Sequence, residues 1–215
     1  MTLPSGILLA VRPTLAYNLI AGLSWPVLFV LYRLRVRGRE NLPAEGGYVL
    51  ACNHVSSFDP WPLGLPLWPR RFLRFMAKSE LYWWPMGPIL SSAGAFPVRR
   101  GQADMEAIAT AVRLAREGNV IAMFPEGTRR RKGLVKRFEA RPRTGAARIA
   151  LEAGVPLVPA AVAGTDRLLR LAPLRIAYGP PVALDDLVGS EDVRDAAQTA
   201  TDRLMERILE LEASL

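Results

Sequence analysis

Residues 48–60 read YVLACNHVSSFDP, an unbroken apolar run followed by a polar segment. The apolar run, Tyr48–Cys52, has the length and composition of a buried strand. The polar segment holds His54, the only histidine of the chain, and Asp59 after four intervening residues. Histidine is the commonest general base because its pKa lies near neutrality, and a carboxylate on its second ring nitrogen fixes the tautomer. Taken alone, the pair fits a capping or surface histidine better than a catalytic one.

A second apolar run, residues 120–124, is also followed directly by polar residues, which read Pro125-Glu126-Gly127-Thr128-Arg129. Ligands of open α/β sheets bind outside the carboxyl ends of the strands, so polar segments after two strands can form one site. Gly127 permits a tight turn, while Thr128 and Arg129 supply donors that suit a phosphate. Glu126 can bind a hydroxyl or neutralise Arg129. A turn with a structural Glu126–Arg129 pair fits the spacing equally well.

Apolar runs and helical patterns alternate along the rest of the chain. The pattern predicts strands at residues 48–52, 72–76, 95–98, 120–124, 157–162 and 174–178. It predicts helices at residues 105–115, 144–152 and 191–211. This alternation is typical of an α/β fold. We therefore expect a single layered domain over residues 34–215, with a central mixed sheet flanked by helices.

Residues 14–32 contain no charged side chain and are followed by arginines at 33, 35, 37 and 39. The stretch is close to the minimum length of a membrane-spanning helix, which needs about 20 residues, and Asn18 and Pro26 interrupt it. It can span the membrane, lie in the membrane interface as a helix or kinked pair, or be buried in the domain. Trp25, Tyr17 and Tyr32 beside basic flanks favour membrane contact. We expect residues 1–33 to be an apolar, membrane-associating helical segment, with the remaining chain on the cytoplasmic side.

The charge of the chain restricts its partners. Lysine and arginine number 28 against 20 aspartates and glutamates, which gives a net charge of +8 and a pI of about 10.3. A basic protein favours an anionic partner: a nucleic acid, a phospholipid surface, or a phosphorylated or CoA-type substrate. The single cysteine, Cys52, excludes an intrachain disulfide, and one cysteine with one histidine argues against a transition-metal site.

Two further segments complete an ordered set. Residues 94–100 read GAFPVRR and place arginines after a short strand, while residues 155–164 read VPLVPAAVAG, in which the prolines indicate a bend before the strand or an edge position. We read the latter segment mainly as scaffold near the site. Asn-His-x-x-x-x-Asp, Gly-x-Phe-x-x-x-Arg, Phe-Pro-Glu-Gly-Thr-Arg and Val-Pro-x-x-Pro thus follow one another in this order. The set resembles the glycerolipid acyltransferases, specifically the bacterial 1-acylglycerol-3-phosphate acyltransferases, over about residues 35–178.

The resemblance implies the residues of a site. The family's catalytic histidine and aspartate fall on His54 and Asp59. Its glycerophosphate-binding residues fall on Arg100, Glu126, Gly127, Thr128 and Arg129. It implies no metal and no bound cofactor. Two features depart from the family pattern: Arg99 stands where many relatives have an acidic residue, and residues 129–148 hold nine basic side chains against one acidic side chain. The second departure leaves open whether the acceptor has a larger anionic headgroup or the membrane is more negative.

The implied reaction is acyl transfer from a thioester, acyl-CoA or acyl carrier protein, to the free hydroxyl of a lysophospholipid. The expected acceptor is 1-acylglycerol-3-phosphate, giving phosphatidate at the cytoplasmic face of the bacterial cell membrane. His54 takes the hydroxyl proton, Asp59 holds the imidazole, and Arg100 and Arg129 clamp the acceptor phosphate. Asn53 is expected to shape the turn, and the main-chain N–H groups around Ser56 and Ser57 are candidate oxyanion donors. The partners implied are membrane phospholipids, the lysophospholipid and the thioester donor, with no nucleic acid.

Three rival hypotheses remain. Cys52 and His54 stand two residues apart and can share one face of a strand, which permits a thiol hydrolase, although a small buried cysteine explains the position more simply. A basic, membrane-attached lipid-binding module explains the charge and the apolar N-terminus, but it leaves the two polar segments without a role. An acyltransferase for another anionic lysolipid fits the same motifs.

Overall fold

We describe a computed structural model of the chain over residues 13–99, 105–127 and 142–215. Within these ranges the chain forms a seven-stranded sheet in the order β1-β7-β6-β2-β5-β3-β4. The strands are β1 (Arg35–Arg37), β2 (Tyr48–Cys52), β3 (Leu73–Lys78), β4 (Ala95–Val98), β5 (Val120–Met123), β6 (Leu157–Ala163) and β7 (Arg175–Tyr178). The β6–β7 pair is antiparallel and the other pairs are parallel, so the predicted mixed sheet is confirmed.

Helices cover both faces of this sheet. The described helices are α1 (Leu15–Pro26), α2 (Pro60–Gly64), α3 (Met86–Ser92), α4 (Met105–Arg116), α5 (Gly145–Ala153) and α6 (Val193–Ala213). The predicted helices at residues 105–115, 144–152 and 191–211 lie within two residues of α4, α5 and α6. The α/β fold with helices flanking the sheet is therefore confirmed.

The central strand β2 is buried on both faces, which explains its unbroken apolar run. Tyr48, Leu50 and Cys52 point into a core shared with α1 and α2. Val49 and Ala51 point into a second core, which α4, α5 and α6 form on the opposite face. Every β2 side chain is fully buried, so the sequence of this strand does not show the alternation of apolar and polar residues that a strand with one exposed face has.

Helix α1 has two apolar sides. Tyr17 and Ala21 are buried against the domain, and the Tyr17 ring meets Phe72 edge-on with the ring centroids 4.5 Å apart. Leu15, Leu19 and Leu23, four residues apart, form an exposed stripe along the other side. A five-residue π-helix, Val27–Leu31, continues α1 beyond Pro26. Among the residues that the structure describes, no helix combines the length and the apolar character needed to cross a bilayer.

Asn18, which seemed to interrupt the apolar stretch, has a partner inside the domain. Its Oδ1 accepts a hydrogen bond from Trp68 Nε1 at 2.9 Å. The amide therefore fixes α1 to the loop that precedes β3. The N-terminal helix thus lies on the domain that follows it rather than apart from it.

The edge position considered for the strand in residues 155–164 is wrong, because β6 lies between β2 and β7. Pro159 lies just before the β6–β7 register, which begins at Ala160. Its carbonyl still accepts a hydrogen bond from Gly179 N at 2.9 Å, so its missing N–H removes only one bond, at the end of that ladder. The strand β1 was not predicted; its three residues alternate in exposure and are defined by their pairing with β7.

The parallel strands β6, β2 and β5 lie side by side and end at one edge of the sheet. The segments that follow these three strands are residues 53–59, 124–127 and 164–165. The register aligns Ala51 with Met123 across β2 and β5. The topology therefore brings together three segments, of which the first and the last are more than a hundred residues apart in the sequence.

Candidate active site

Asn53, the residue that precedes His54, joins the end of β2 to β6. Its Oδ1 accepts a hydrogen bond from Val162 N at 2.8 Å, and its Nδ2 donates to Val162 O at 3.1 Å. The Cys52 thiol donates to the same Oδ1 at 3.3 Å. Because the side chain is buried and held at both polar ends, it fixes where the chain leaves the sheet and hence where His54 lies.

His54 and Asp59 form a buried hydrogen-bonded pair. His54 Nδ1 lies 2.8 Å from Asp59 Oδ2, with 7% of the histidine and none of the aspartate exposed. Residues 53–59 make this contact by turning back at Ser56, whose carbonyl accepts a hydrogen bond from Asp59 N at 3.2 Å. An ionised carboxylate only accepts hydrogen bonds, so Nδ1 carries the proton and the lone pair of neutral His54 lies on Nε2.

Asp59 stands immediately before α2 but does not use its side chain to cap that helix. Instead, Oδ2 accepts hydrogen bonds from Val55 N at 2.8 Å and Ser56 N at 2.9 Å, in addition to His54. Oδ1 accepts from Thr165 Oγ1 at 2.6 Å. A buried carboxylate is costly unless it is paired and hydrogen-bonded, and here both oxygens are. The N–H of Ser56 is committed to Asp59, so it is not the oxyanion donor that the sequence suggested.

The second polar segment reaches the pair from β5. The Phe124 ring stacks on the His54 ring with the centroids 4.3 Å apart and an angle of 25° between the planes. The segment then turns, and Gly127 N donates to Phe124 O at 2.9 Å. Gly127 has φ of +65°, a conformation that glycine adopts without strain. The two strand ends therefore converge, as the sequence led us to expect.

An arginine that the sequence analysis did not single out packs on this turn. Arg143 N donates to Pro125 O at 2.8 Å. A Cβ atom added at Gly127 would lie 2.6 Å from Arg143 Nε, so the guanidinium side chain crosses the turn where glycine leaves room. A side chain at position 127 would have to displace the flexible Arg143 side chain, whereas the backbone conformation itself favours glycine.

The other predicted residues divide into two groups. Glu126 is buried within the turn at the sheet edge, with 6% of its surface exposed. Three predicted phosphate-binding residues lie outside the described residues: Arg100, Thr128 and Arg129. Arg99, next to the first of these, is exposed and pairs with Glu106 at 3.2 Å.

Cys52 does not have the surroundings of a catalytic thiol. The side chain is fully buried in the core that includes Leu50 and Leu63, and its thiol donates to Asn53. A reactive cysteine needs an electropositive, partly exposed environment. In the described residues, no group of three or more histidine, cysteine, aspartate or glutamate side chains could hold a metal ion.

A family model described as "Acyltransferase" matches residues 33–163, which hold the His54–Asp59 pair and the Phe124–Gly127 turn. The chain belongs to the acyltransferase family. The protein is thus an enzyme, and the resemblance of its motifs to this family is confirmed. Membership of an enzyme family argues against the alternative of a lipid-binding module without catalysis. The buried His54–Asp59 pair at the sheet edge agrees with this membership.

Two curated proteins illustrate the relationship of this acyltransferase to others. The chain is 33% identical over 189 residues to "1-acyl-sn-glycerol-3-phosphate acyltransferase" of Bacillus subtilis, covering 85% of this chain and 89% of that protein. It is 29% identical over 146 residues to "1-acyl-sn-glycerol-3-phosphate acyltransferase BAT2, chloroplastic" of Brassica napus. That alignment covers 66% of this chain but only 40% of the plant protein.

The fold of this acyltransferase is also found in a solved structure. It matches the crystal structure of the 1-acyl-sn-glycerophosphate acyltransferase PlsC from Thermotoga maritima with a TM-score of 0.62. The sequences are 24% identical, and the match covers 91% of this chain and 78% of the other. The two proteins therefore share the layered α/β architecture.

Proposed function

We propose that this acyltransferase moves an acyl group from a thioester donor to the free hydroxyl of 1-acylglycerol-3-phosphate, giving phosphatidate. The observation that supports this most is the buried His54–Asp59 pair, 2.8 Å apart, beside the turn that follows β5. A base next to a turn suited to phosphate is what this acceptor requires. The printed activity of the Bacillus subtilis relative points to the same acceptor.

In the proposed mechanism, Nε2 of His54 takes the proton from the acceptor hydroxyl while its oxygen attacks the thioester carbonyl. The Asp59 carboxylate stabilises the imidazolium that forms and keeps Nδ1 pointed away from the substrate. When the tetrahedral intermediate collapses, the carbon–sulfur bond breaks and His54 returns the proton to the leaving thiolate. The products are an ester and a free thiol, so no further reactant is needed. Either acyl-CoA or acyl carrier protein can supply the thioester.

The acceptor phosphate binds, in this proposal, to the turn at residues 126–127 and to Arg100, Thr128 and Arg129. Arginine matches a phosphate with two parallel hydrogen bonds. Fixing the phosphate brings the hydroxyl into register with His54, and positioning of this kind lowers the barrier by several kcal/mol. The net charge of +8 favours any anionic lysolipid over a neutral one.

The enzyme acts, we propose, on the cytoplasmic face of the bacterial cell membrane, where its lipid substrate is found. The exposed stripe of α1 supports this location, since Leu15 and Leu23 are each 76% exposed. Trp83 and Trp84 follow β3 at the same sheet edge as His54 and are 57% and 84% exposed. Tryptophan prefers the membrane–water interface, so both groups are suited to rest in it.

A lysolipid panel tests the proposed substrate. The purified full-length chain is assayed with labelled acyl-CoA and with acyl carrier protein, each offered 1-acylglycerol-3-phosphate, other anionic lysophospholipids and monoacylglycerol. We expect the highest kcat/KM with 1-acylglycerol-3-phosphate and little product from monoacylglycerol. Equal use of monoacylglycerol would show that no phosphate is recognised, and preference for another anionic lysolipid would replace the acceptor while keeping the mechanism.

A further inference from the structure

Thr165 makes the shortest hydrogen bond to the His54–Asp59 pair, although it lies outside the segments that carry the motifs. Its Oγ1 donates to Asp59 Oδ1 at 2.6 Å across 106 positions of sequence. The threonine is 2% exposed and the aspartate is fully buried. Water therefore cannot easily replace this donor, and the bond is made to a charged acceptor, which strengthens it.

The backbone after β6 is shaped to deliver this hydroxyl. Strand β6 ends at Ala163, and Gly164 follows with φ of +95°. A Cβ atom at Gly164 would lie 2.5 Å from Pro173 O, so only glycine fits both the conformation and the space. A turn closed by Arg167 N donating to Gly164 O at 3.0 Å then begins the 3₁₀-helix Thr165–Arg170. The chain thus leaves β6 at Gly164 in a conformation that places the Thr165 hydroxyl on Asp59.

The two oxygens of Asp59 are held by different parts of the chain. Oδ2 accepts from His54 and from the main chain of its own turn. Oδ1 accepts from Thr165, which belongs to the segment after β6. Without the hydroxyl, the buried Oδ1 would lose the donor that these hydrogen bonds give it. The carboxylate could then rotate about its Cβ–Cγ bond towards another donor. Rotation would weaken the Oδ2 contact with His54 Nδ1.

We propose that Thr165 is a positioning residue of the acyl transfer: its hydroxyl fixes the carboxylate plane of Asp59 so that Oδ2 stays aligned with His54 Nδ1. Thr165 acts through Asp59 and touches no substrate. The inference rests on the proposed role of His54 as general base. It assigns a part in the chemistry to Thr165, which directly follows residues 155–164, the segment read from the sequence mainly as scaffold.

The test compares Thr165→Val, which keeps the shape and removes the hydroxyl, with Thr165→Ser, which keeps the hydroxyl. In the full-length enzyme we expect Thr165→Val to lower kcat about tenfold or more, with the KM of both substrates unchanged, because one hydrogen bond to a charged group is lost. Thr165→Ser should stay within about twofold of the parent enzyme. Thr201→Val is the matched control, since Thr201 is also buried and bonds Ala197 O at 2.7 Å within α6. It should change stability but not kcat.

Two further readouts separate positioning from general damage. His54 is the only histidine, so its ring-proton signals in an NMR spectrum need no assignment by mutation. We expect the Nδ1 proton signal to move in Thr165→Val and to stay in place in Thr165→Ser and Thr201→Val; it can be read even if Thr165→Val is inactive. In an Asp59→Ala background, adding Thr165→Val should cause no further loss of kcat, because the hydroxyl acts only through the carboxylate.

Each outcome decides between named alternatives. If Thr165→Val keeps the parent kcat and the parent Nδ1 signal while His54→Ala is inactive, the positioning role is wrong and the general base survives. If His54→Ala is active, the proposed role of His54 as general base is wrong, and the positioning role of Thr165 is wrong with it. If Thr165→Val does not fold, Thr165→Ser and Thr165→Ala are compared instead, and equal kcat in these two variants would overturn the inference.

Discussion

Asn53 and Val162 are joined by two hydrogen bonds, from Val162 N to Asn53 Oδ1 at 2.8 Å and from Asn53 Nδ2 to Val162 O at 3.1 Å. The side chain thus acts as one more residue of β2 and extends its pairing with β6. Three residues after Val162, Thr165 holds Asp59. The end of β6 therefore holds Asn53 at the start of residues 53–59 and Asp59 at their end. The His54–Asp59 pair thus depends on contacts between two strand ends and not on one loop alone.

Replacing Asn53 by alanine should lower the free energy of unfolding by about 2–3 kcal/mol, since it leaves the buried N–H and C=O of Val162 without partners. Asn41→Ala is the control, because Asn41 makes one partly buried bond, to Tyr178 O at 2.9 Å, and should cost about 1 kcal/mol or less. Urea unfolding measures both values. Equal losses in the two variants would mean that the link between β2 and β6 does not stabilise the site.

Replacing Gly164 by alanine should be worse than the same change at Gly154. Both glycines have positive φ, +95° and +67°. Only Gly164 faces a close atom, Pro173 O at 2.5 Å, whereas nothing lies within 4 Å at Gly154. We expect Gly154→Ala to cost about 1 kcal/mol from backbone strain alone and Gly164→Ala to cost more. Thermal unfolding ranks them, and a smaller loss at Gly164 would contradict the close packing of this turn.

Cys52→Ala should keep kcat within about threefold of the parent enzyme, because the thiol is buried in the core and a small cavity is the main change. The free energy of unfolding should fall by about 1–2 kcal/mol. Steady-state kinetics with a saturating thioester donor measures the first effect. A loss of kcat by orders of magnitude in a folded Cys52→Ala variant would revive the thiol mechanism.

Trp84→Ala should weaken binding to anionic phospholipid vesicles by about fivefold to tenfold, because a side chain that is 84% exposed inserts into the interface. Val188→Ala is the control, since Val188 is 65% exposed and follows β7, away from the edge that holds His54. Vesicle co-sedimentation measures both. If the two variants bind alike, the aromatic group after β3 does not face the membrane.

The sequence predicted the elements that are apolar throughout or clearly periodic. Runs such as Tyr48–Cys52 stand out because the strand is buried on both faces, and α4 shows its buried side at helical spacing. The short β1 was missed because its residues are partly exposed and the pairing with β7 defines it. Helix α1 was ambiguous because Tyr17 on one side and Leu15 on the other are both apolar, although only the first is buried.

The site was predictable where one segment contains both partners. His54 and Asp59 are five positions apart, so a single turn joins them. Asn53 was expected only to shape that turn, because its partner Val162 is 109 positions away. Thr165 follows the last quoted segment directly, yet nothing in its local sequence marks it; the parallel pairing of β2 with β6 brings it to Asp59. Long-range contacts of this kind come from topology and not from local pattern.

The most direct test of the account is the formation of phosphatidate by the purified full-length chain. Parent enzyme and His54→Ala are incubated with labelled acyl-CoA or acyl carrier protein and 1-acylglycerol-3-phosphate, and the labelled lipid is separated and counted. We expect the parent to form labelled phosphatidate, and folded His54→Ala to do so about 10²–10⁴ times more slowly, the usual contribution of a general base. Parent-like rates in folded His54→Ala would contradict the catalytic role of the histidine at the centre of this site.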